Sequence, residues 1–362
     1  MKILMIMYAR SVGGAELEFL ELAEWLSKTH TVKIIAFGGD AAVKHAGVYG
    51  NIPCEVYSFG NSKFQIAKCF ATALTRNIGE PADAIITTAF LPNVLSSILS
   101  RFNGAGTISL QTVSKTMRFP AIDRMTLRSL DALIAGSNDI RQYLLNHGQR
   151  DENIHVVNNW VDLLNRSPSR AIEETRQLLG LADDDVLIGC MGRFHHQKGQ
   201  EFLIAAYLQL EQTHPNLRLM LVGGGEKEKE FKELASKAQR EVIFPGLVKG
   251  EEYNNLFSAI DVYVQPSRFE GLPRTLVDAM YLKKPIVASA VNGNLDAISD
   301  NVNGLTVPAE DSEAIARAIS ELISNPSLAS ALSERAHNDA VEQFGMEVQM
   351  KKIEKIIDTI IA

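Results

Sequence analysis

Residues 262–290 read VYVQPSRFEGLPRTLVDAMYLKKPIVASA, and the alternation inside this stretch decides the fold. The apolar run Asp261 to Val264 ends in Gln265-Pro266-Ser267, and a loop with Arg268 and Glu270 leads to Gly271-Leu272-Pro273. Leu276, Val277, Met280 and Tyr281 then recur at helical spacing as far as Lys283-Lys284-Pro285, and Ile286 to Ala288 reads as a second strand. The unit is strand, loop, helix, strand. Pro273 is tolerated near the helix start because that position has no intrahelical partner for its N–H. The amides from Gly271 onward are left unbonded, and a helix N-terminus attracts anions such as phosphate. Glu270 stands beside that anion site, and Asp278 lies about two turns into the helix. Two carboxylates beside a phosphate cradle suit the hydroxyls of a sugar nucleotide, although a buried βαβ unit with a helix-dipole carboxylate has the same spacing.

Outward from this unit the same alternation runs through the whole chain, which predicts parallel sheets with helices on both faces. Upstream strands are expected at Lys2–Tyr8, Thr31–Phe37, Cys54–Phe59, Ala84–Thr88, Thr107–Leu110, Ala132–Ala135 and Ile154–Val157. A helix from about Ala15 to Lys28 carries Leu17, Leu20, Leu22, Ala23 and Leu26 as its buried stripe. Asn159 to Arg170 (NWVDLLNRSPSR) interrupts the pattern and marks a boundary, giving a first domain over 1–165 and a second over 166–345. The second repeats the alternation at Val186–Met191, Arg218–Val222, Val242–Phe244, Asp261–Val264, Ile286–Ala288 and Leu305–Val307. From Ser312 onward the pattern is helical, with breaks at Asn325-Pro326 and Phe344-Gly345. The fold class is α/β, as two doubly wound Rossmann-like domains facing across a cleft at the carboxyl ends of their strands.

Length and composition agree. A chain of 362 residues exceeds one ordinary core, and 46 % hydrophobic with 22 % charged residues is a soluble globular balance. Cys54, Cys69 and Cys190 show no metal spacing and fall in or near apolar runs, as reduced core residues of a cytoplasmic protein do. Residues 1–166 hold 16 Lys+Arg against 14 Asp+Glu, and the remainder 20 against 29, so the second half is acidic and nucleic acid is not the expected partner. Met1 to Tyr8 is too short for a membrane span or signal core and reads as a first buried strand.

Several loops at carboxyl ends of strands could carry chemistry. Gly13-Gly14 lies between the first strand and first helix, but no full GxGxxG is present, which argues against a dinucleotide. GRFHHQKG (192–199) follows Met191; Arg193 can fork onto a phosphate and Lys198 adds a point charge, together stabilising a departing diphosphate. Gly223-Gly224-Gly225 either approaches a ligand or turns the chain. Asp183-Asp184-Asp185 contains a DxD but precedes a strand, at the wrong sheet edge for a metal-held nucleotide. His195-His196 lacks a third ligand at helical spacing, so no metal site is expected. Two basic stretches, Lys115 to Arg128 (with Arg118 and Arg124) and Phe59 to Gly79 (Lys63, Lys68 and Arg76 among Phe64, Ile66 and Phe70), suit either a solvated face or anionic lipid headgroups.

GRFHHQKG, LMLVGGGEKEKE, VIFPGLVKGEEYNNLFSAIDVYVQPSRFEGLPRTLVDAM and NGLTVPAEDSEAIARAI occur in this order. They resemble the retaining nucleotide-sugar glycosyltransferases of the GT-B fold, particularly the large family 4. The likeness covers nearly the whole second domain; in the first it rests on Gly13-Gly14, SNDIRQYLLNHG and VVNNWVD. The resemblance implies Arg193 and Lys198 on the donor diphosphate and Glu270 against the donor sugar. It also implies Gly271, Leu272 and Thr275 near sugar and phosphate, Asp278 toward the ribose, and the stretch around Val248 at the base. Gly13, Gly14 and Gly224 join the donor-binding set, and a final helix over 346–362 packs back on the first domain. Transfer would retain the anomeric configuration without a metal or other cofactor, by front-face attack in which the departing phosphate takes the acceptor's proton. The acceptor would be a growing bacterial surface glycan or its lipid-linked precursor, with the enzyme cytoplasmic or peripheral on the inner membrane face.

Two positions depart from the family pattern. Its Glu-x7-Glu pair is here Glu270 and Asp278, one methylene shorter, which bears on affinity more than on chemistry. Where many members carry a first-domain His, the strand leads to Gln111-Thr112; Gln111 can bond a donor-sugar hydroxyl but cannot become a cation. Two alternatives stand beside this reading: a sugar-nucleotide 2-epimerase of the same fold, which the missing first-domain His disfavours, and a non-catalytic sugar-nucleotide-binding partner subunit, which the same departures suggest.

Overall fold

Lys2–Ala9 shows why the sheets form: its interior positions are buried on both faces of the strand, as a parallel strand between two helix layers requires. The computed structural model describes residues 1–9, 14–39, 51–59, 62–111, 120–161 and 167–362. The chain divides into two compact units, Met1–Asn159 with Glu347–Ala362, and Trp160–Met346.

Among the described residues, the first unit holds a seven-stranded parallel sheet of β1 (Lys2–Ala9), β2 (Thr31–Gly38), β3 (Cys54–Ser58), β4 (Ala84–Thr88), β5 (Gly106–Gln111), β6 (Ala132–Ala135) and β7 (Ile154–Val156). Its order is β3-β2-β1-β4-β5-β6-β7. The helix Gly14–Ser27 buries Phe19, Leu20, Leu22, Ala23 and Leu26. The last helix, Met346–Ile361, belongs to this unit from Glu347 onward and buries Met350, Ile353 and Ile357, one apolar stripe. Trp25 Nε1 donates to Glu354 Oε1 (3.0 Å), and Ile360 fills the space where a β-carbon on Gly106 would sit.

The second unit's six-stranded sheet contains β8 (Val186–Met191), β9 (Leu217–Val222), β10 (Ile243–Gly246), β11 (Val262–Gln265), β12 (Ile286–Ser289) and β13 (Leu305–Val307), all parallel. The order β10-β9-β8-β11-β12-β13 reverses direction between β8 and β11. Loops leaving the carboxyl ends of two such strands diverge to opposite faces and leave a crevice between them, where open α/β sheets take ligands. The predicted strands therefore match in number, order of appearance and parallel sense.

The break between units falls at Asn159/Trp160, ahead of the expected 165/166. Trp160 and Val161 are 2 % and 0 % exposed, and Val161 bridges to Gly345, so burial commits them to the second unit. Cys190 is buried, whereas Cys54 and Cys69 are only partly so; all three are free thiols.

Candidate functional site

The loops after β8 and β11 meet at the reversal in strand order. After β8, Gly192 and Phe194 are pinned by backbone bonds from Gly192 N to Val222 O and from Phe194 N to Gly224 O (each 2.9 Å), and a short turn over His196–Lys198 opens the helix Gln200–Leu210. After β11, Pro266 to Pro273 leads into the helix Arg274–Tyr281, whose first amides have no side-chain cap.

Lys198 and Glu270 are brought together. Lys198 Nζ lies 2.6 Å from Glu270 Oε1, with side chains 19 % and 5 % exposed. Ser267 Oγ (2.6 Å) and Gln265 Nε2 (3.0 Å) donate to the same oxygen, while Glu270 Oε2 receives Gln197 Nε2 at 3.4 Å. A buried carboxylate needs such donors, because without them its lost hydration is uncompensated. Gln265 is itself oriented: the hydroxyls of Tyr263 (2.6 Å) and Thr275 (3.3 Å) donate to its Oε1, so its amide protons point toward Glu270 and Ser267. Near this pair, burial pushes the Cys190 thiol up to about 12, so it is a neutral wall of the site.

The expected assignment had Lys198 on phosphate and Glu270 on sugar as separate contacts; in the structure they are one ion pair, and Lys198 has two further N–H protons beyond the one it gives Glu270. Arg193, in the same loop as Lys198, is exposed, with its carbonyl held by Gln200 Nε2 (3.1 Å). Gly271 is partly exposed and Leu272 buried at the start of the uncapped helix. Thr275 turns its hydroxyl inward to Gln265.

Asp278, expected toward the ribose, lies on the helix Arg274–Tyr281. It is 2 % exposed and its Oδ2 takes the hydroxyl proton of Tyr253 at 2.6 Å, so the shorter carboxylate is engaged within the unit. Val248 is partly buried against the core and Leu247 beside it is 79 % exposed. After β9, a β-carbon on Gly223 (φ +150) would meet Gly192 O at 2.0 Å, and Gly224 lies against Leu247. Asp185 is buried between Arg218 and Arg240, a structural network at the amino edge, and among the described residues no three His, Cys, Asp or Glu side chains gather as a metal would need.

In the first unit Gln111 ends β5 and gives Nε2 to Ser109 Oγ (2.8 Å). Ser109 Oγ (2.8 Å) and Thr87 Oγ1 (2.6 Å) both donate to Asn93 Oδ1, so the Ser109 hydroxyl can only accept from Gln111. The polarity of the network thus leaves Gln111 Oε1, an acceptor, and the second Nε2 proton, a donor, for anything else it meets. Gly14 opens the helix Gly14–Ser27, while Gly13 lies outside the described residues.

Gln265, Ser267, Gln197 and Tyr253 were not singled out from the sequence. The available signal was a polar pair, Gln265 and Ser267, ending an otherwise apolar strand that turned out to be fully buried.

Two family models match the chain in succession: Glycosyltransferase Family 4 over residues 12–164 and Glycosyl transferases group 1 over residues 171–339. The lipopolysaccharide core biosynthesis mannosyltransferase LpcC of Rhizobium leguminosarum bv. viciae is 29 % identical, over 70 % of this chain and 71 % of its own. The GDP-mannose-dependent monoacylated alpha-(1-6)-phosphatidylinositol monomannoside mannosyltransferase of Corynebacterium glutamicum is 23 % identical over 93 % of each chain. Among solved structures, Anabaena Alr3699/HepE in complex with UDP superposes with a TM-score of 0.88 at 23 % identity, covering 99 % of this chain and 100 % of that one.

Proposed function

The chain belongs to the GT-B glycosyltransferases of family 4, and from that premise we propose that it moves a hexose or N-acetylhexosamine from a nucleoside-diphosphate sugar to a hydroxyl, with retention of anomeric configuration. The observation that carries this reading is the Lys198–Glu270 pair at the β8/β11 reversal, with exposed Arg193 in the same loop as Lys198. Lys198 and Arg193 meet the diphosphate as its negative charge grows, and no metal is required in this scheme. Glu270 Oε2, the less heavily bonded carboxylate oxygen, accepts from a donor-sugar hydroxyl. The C1–O bond to phosphate breaks as the acceptor oxygen bonds C1 on the same face, and the departing phosphate oxygen takes the acceptor's proton.

The acceptor is a growing surface glycan or lipid-linked saccharide, a reading supported by relatives named for lipopolysaccharide core and phosphatidylinositol mannoside synthesis. Contact with an anionic membrane face accompanies it. No helix among the described residues is long and apolar enough to cross a membrane. The helix Pro120–Arg128, which carries Arg124 and Arg128, also exposes Ile122 (50 %) and Met125 (71 %), and Phe64 is 77 % exposed beside Lys63.

The test is radiolabelled UDP- and GDP-sugars with a panel of lipid-linked and oligosaccharide acceptors, run with and without EDTA, and NMR assignment of the product anomer. Transfer with retention that survives EDTA is expected. Inversion, loss of transfer on chelation, epimerised donor, or tight binding without turnover would each overturn a stated part. Co-sedimentation with anionic vesicles should fall on charge reversal at Arg124 and Arg128 or on Met125→Asp; unaltered binding would remove the membrane contact.

A further inference from the structure

We propose that Arg268 is a positioning residue that sets the sugar-dependent part of donor binding, by clamping the loop of Glu270 onto the loop of Lys198. The inference rests on the donor site proposed above. Arg268 is reached from three sides. Its NH1 donates to His196 O (2.7 Å) and to Glu201 Oε1 (2.8 Å), and its Nε donates to Glu310 Oε1 (2.7 Å). Its guanidinium carbon sits 4.6 Å over the Phe202 ring, and its side chain is 14 % exposed. Its own amide donates to Gln197 O (2.8 Å).

These partners come from two connections at one sheet edge: the loop after β8 with the first turn of the helix Gln200–Leu210 that it opens, and the segment after β13. Glu310 adopts φ +65, a left-handed conformation that a non-glycine residue holds only when its surroundings impose it. A planar guanidinium can satisfy carbonyl and two carboxylates at once while stacking on an aromatic ring; an ammonium cannot. Arg268 also stands two residues before Glu270, so the direction of the clamp fixes where that carboxylate is presented. Gln197 completes the link, its Nε2 donating to Phe269 O (3.1 Å). Loosening the clamp would let Glu270 drift from its place while the phosphate contact of exposed Arg193 is retained.

Calorimetry of UDP and UDP-glucose, and of GDP and GDP-mannose, separates this from a scaffold role. In Arg268→Gln, affinity for the sugar nucleotide should fall about tenfold or more, the scale of one charge-assisted contact, while affinity for the bare diphosphate changes less than about threefold. The sugar-specific loss should vanish when Glu270 is already Gln, and Arg268→Lys should restore only part of it. Glu310→Gln, which removes one tie at a largely exposed residue, should give the same selective loss in milder form should Arg268→Gln fail to fold. Equal losses for both ligand forms, or a loss that persists undiminished in the Glu270→Gln background, would overturn the inference. A wild-type chain that binds none of the four ligands would instead overturn the donor reading itself, and this inference with it.

Discussion

Lys198 Nζ and Glu270 Oε1 lie 2.6 Å apart across the β8/β11 reversal, and both side chains are mostly withdrawn from water. The site charges are therefore bound to one another before any ligand arrives, whereas Arg193 remains exposed.

That difference separates two substitutions. Lys198→Ala breaks a largely buried pair and is expected to cost about 3 kcal/mol of folding stability, Ser267 and Gln265 still serving the carboxylate. Arg193→Ala should change stability by no more than about 0.5 kcal/mol. Each should lose roughly 2–4 kcal/mol of transition-state stabilisation. Urea midpoints and initial transfer rates read the two effects separately; near-normal turnover in both variants would contradict the assigned role.

Gly293 sits against the donor loop, where an added β-carbon would lie 1.6 Å from Gly271 O and 2.7 Å from Glu270 C. Gly293→Ala must therefore push the Glu270–Gly271 backbone aside. A lower thermal midpoint with donor affinity reduced at least about tenfold is expected, about 1.4 kcal/mol. Gly79→Ala, where nothing lies within 4 Å, is the control and should leave both unchanged. Wild-type donor affinity in Gly293→Ala would show that this contact does not shape the site.

Asp278→Glu, which restores the family's longer side chain, should not improve the enzyme. Position 278 is 2 % exposed and its carboxylate is met by Tyr253, so an extra methylene overpacks the site at about 1–3 kcal/mol. Tyr253→Phe removes a donor from the same buried carboxylate and should cost a comparable amount. Denaturation midpoints alongside nucleoside-diphosphate affinity decide it, and a tighter-binding, equally stable Asp278→Glu would refute this placement.

Lys284 supplies a pH dependence. Burial pushes its ammonium down to about 8 despite the attraction of Asp261 and the hydrogen bond to Ser258 O (2.7 Å). Below pH 8 the group is charged in both folded and unfolded chains, and folding bears the full cost of desolvating it. Between about 8 and 10.5 the folded amine has lost its proton while the unfolded one keeps it, so this group's contribution to stability rises with pH. Lys284→Met should thus be more stable than wild type by about 3 kcal/mol below pH 8, with the gap closing by about pH 10.5. A gap that stays constant across that range would exclude titration of Lys284 as its origin.

Much of the fold is readable in the chain before any coordinates. Strands such as Val186–Met191 and Val262–Gln265 announce themselves because a doubly covered parallel strand is largely apolar on both faces, a local signal. Glu270, Arg193 and Lys198 were also legible, since charged residues following such strands stand at the edge where ligands bind. Less visible was the boundary at Asn159: the polar stretch looked like linker, but Trp160 and Val161 pack into the second unit through contacts far along the chain.

Local residue order determined that each sheet would be parallel, which edge would carry the loops, and which charged side chains would stand there, because periodicity and turn chemistry act over a few neighbours. Which of those side chains meet was decided only by folding. Lys198 and Glu270 are 72 positions apart, as are the Arg268 guanidinium and His196 carbonyl. Their pairing depends on β8 and β11 becoming neighbours, and the burial that follows forces each polar group to find a partner nearby in space rather than nearby in sequence.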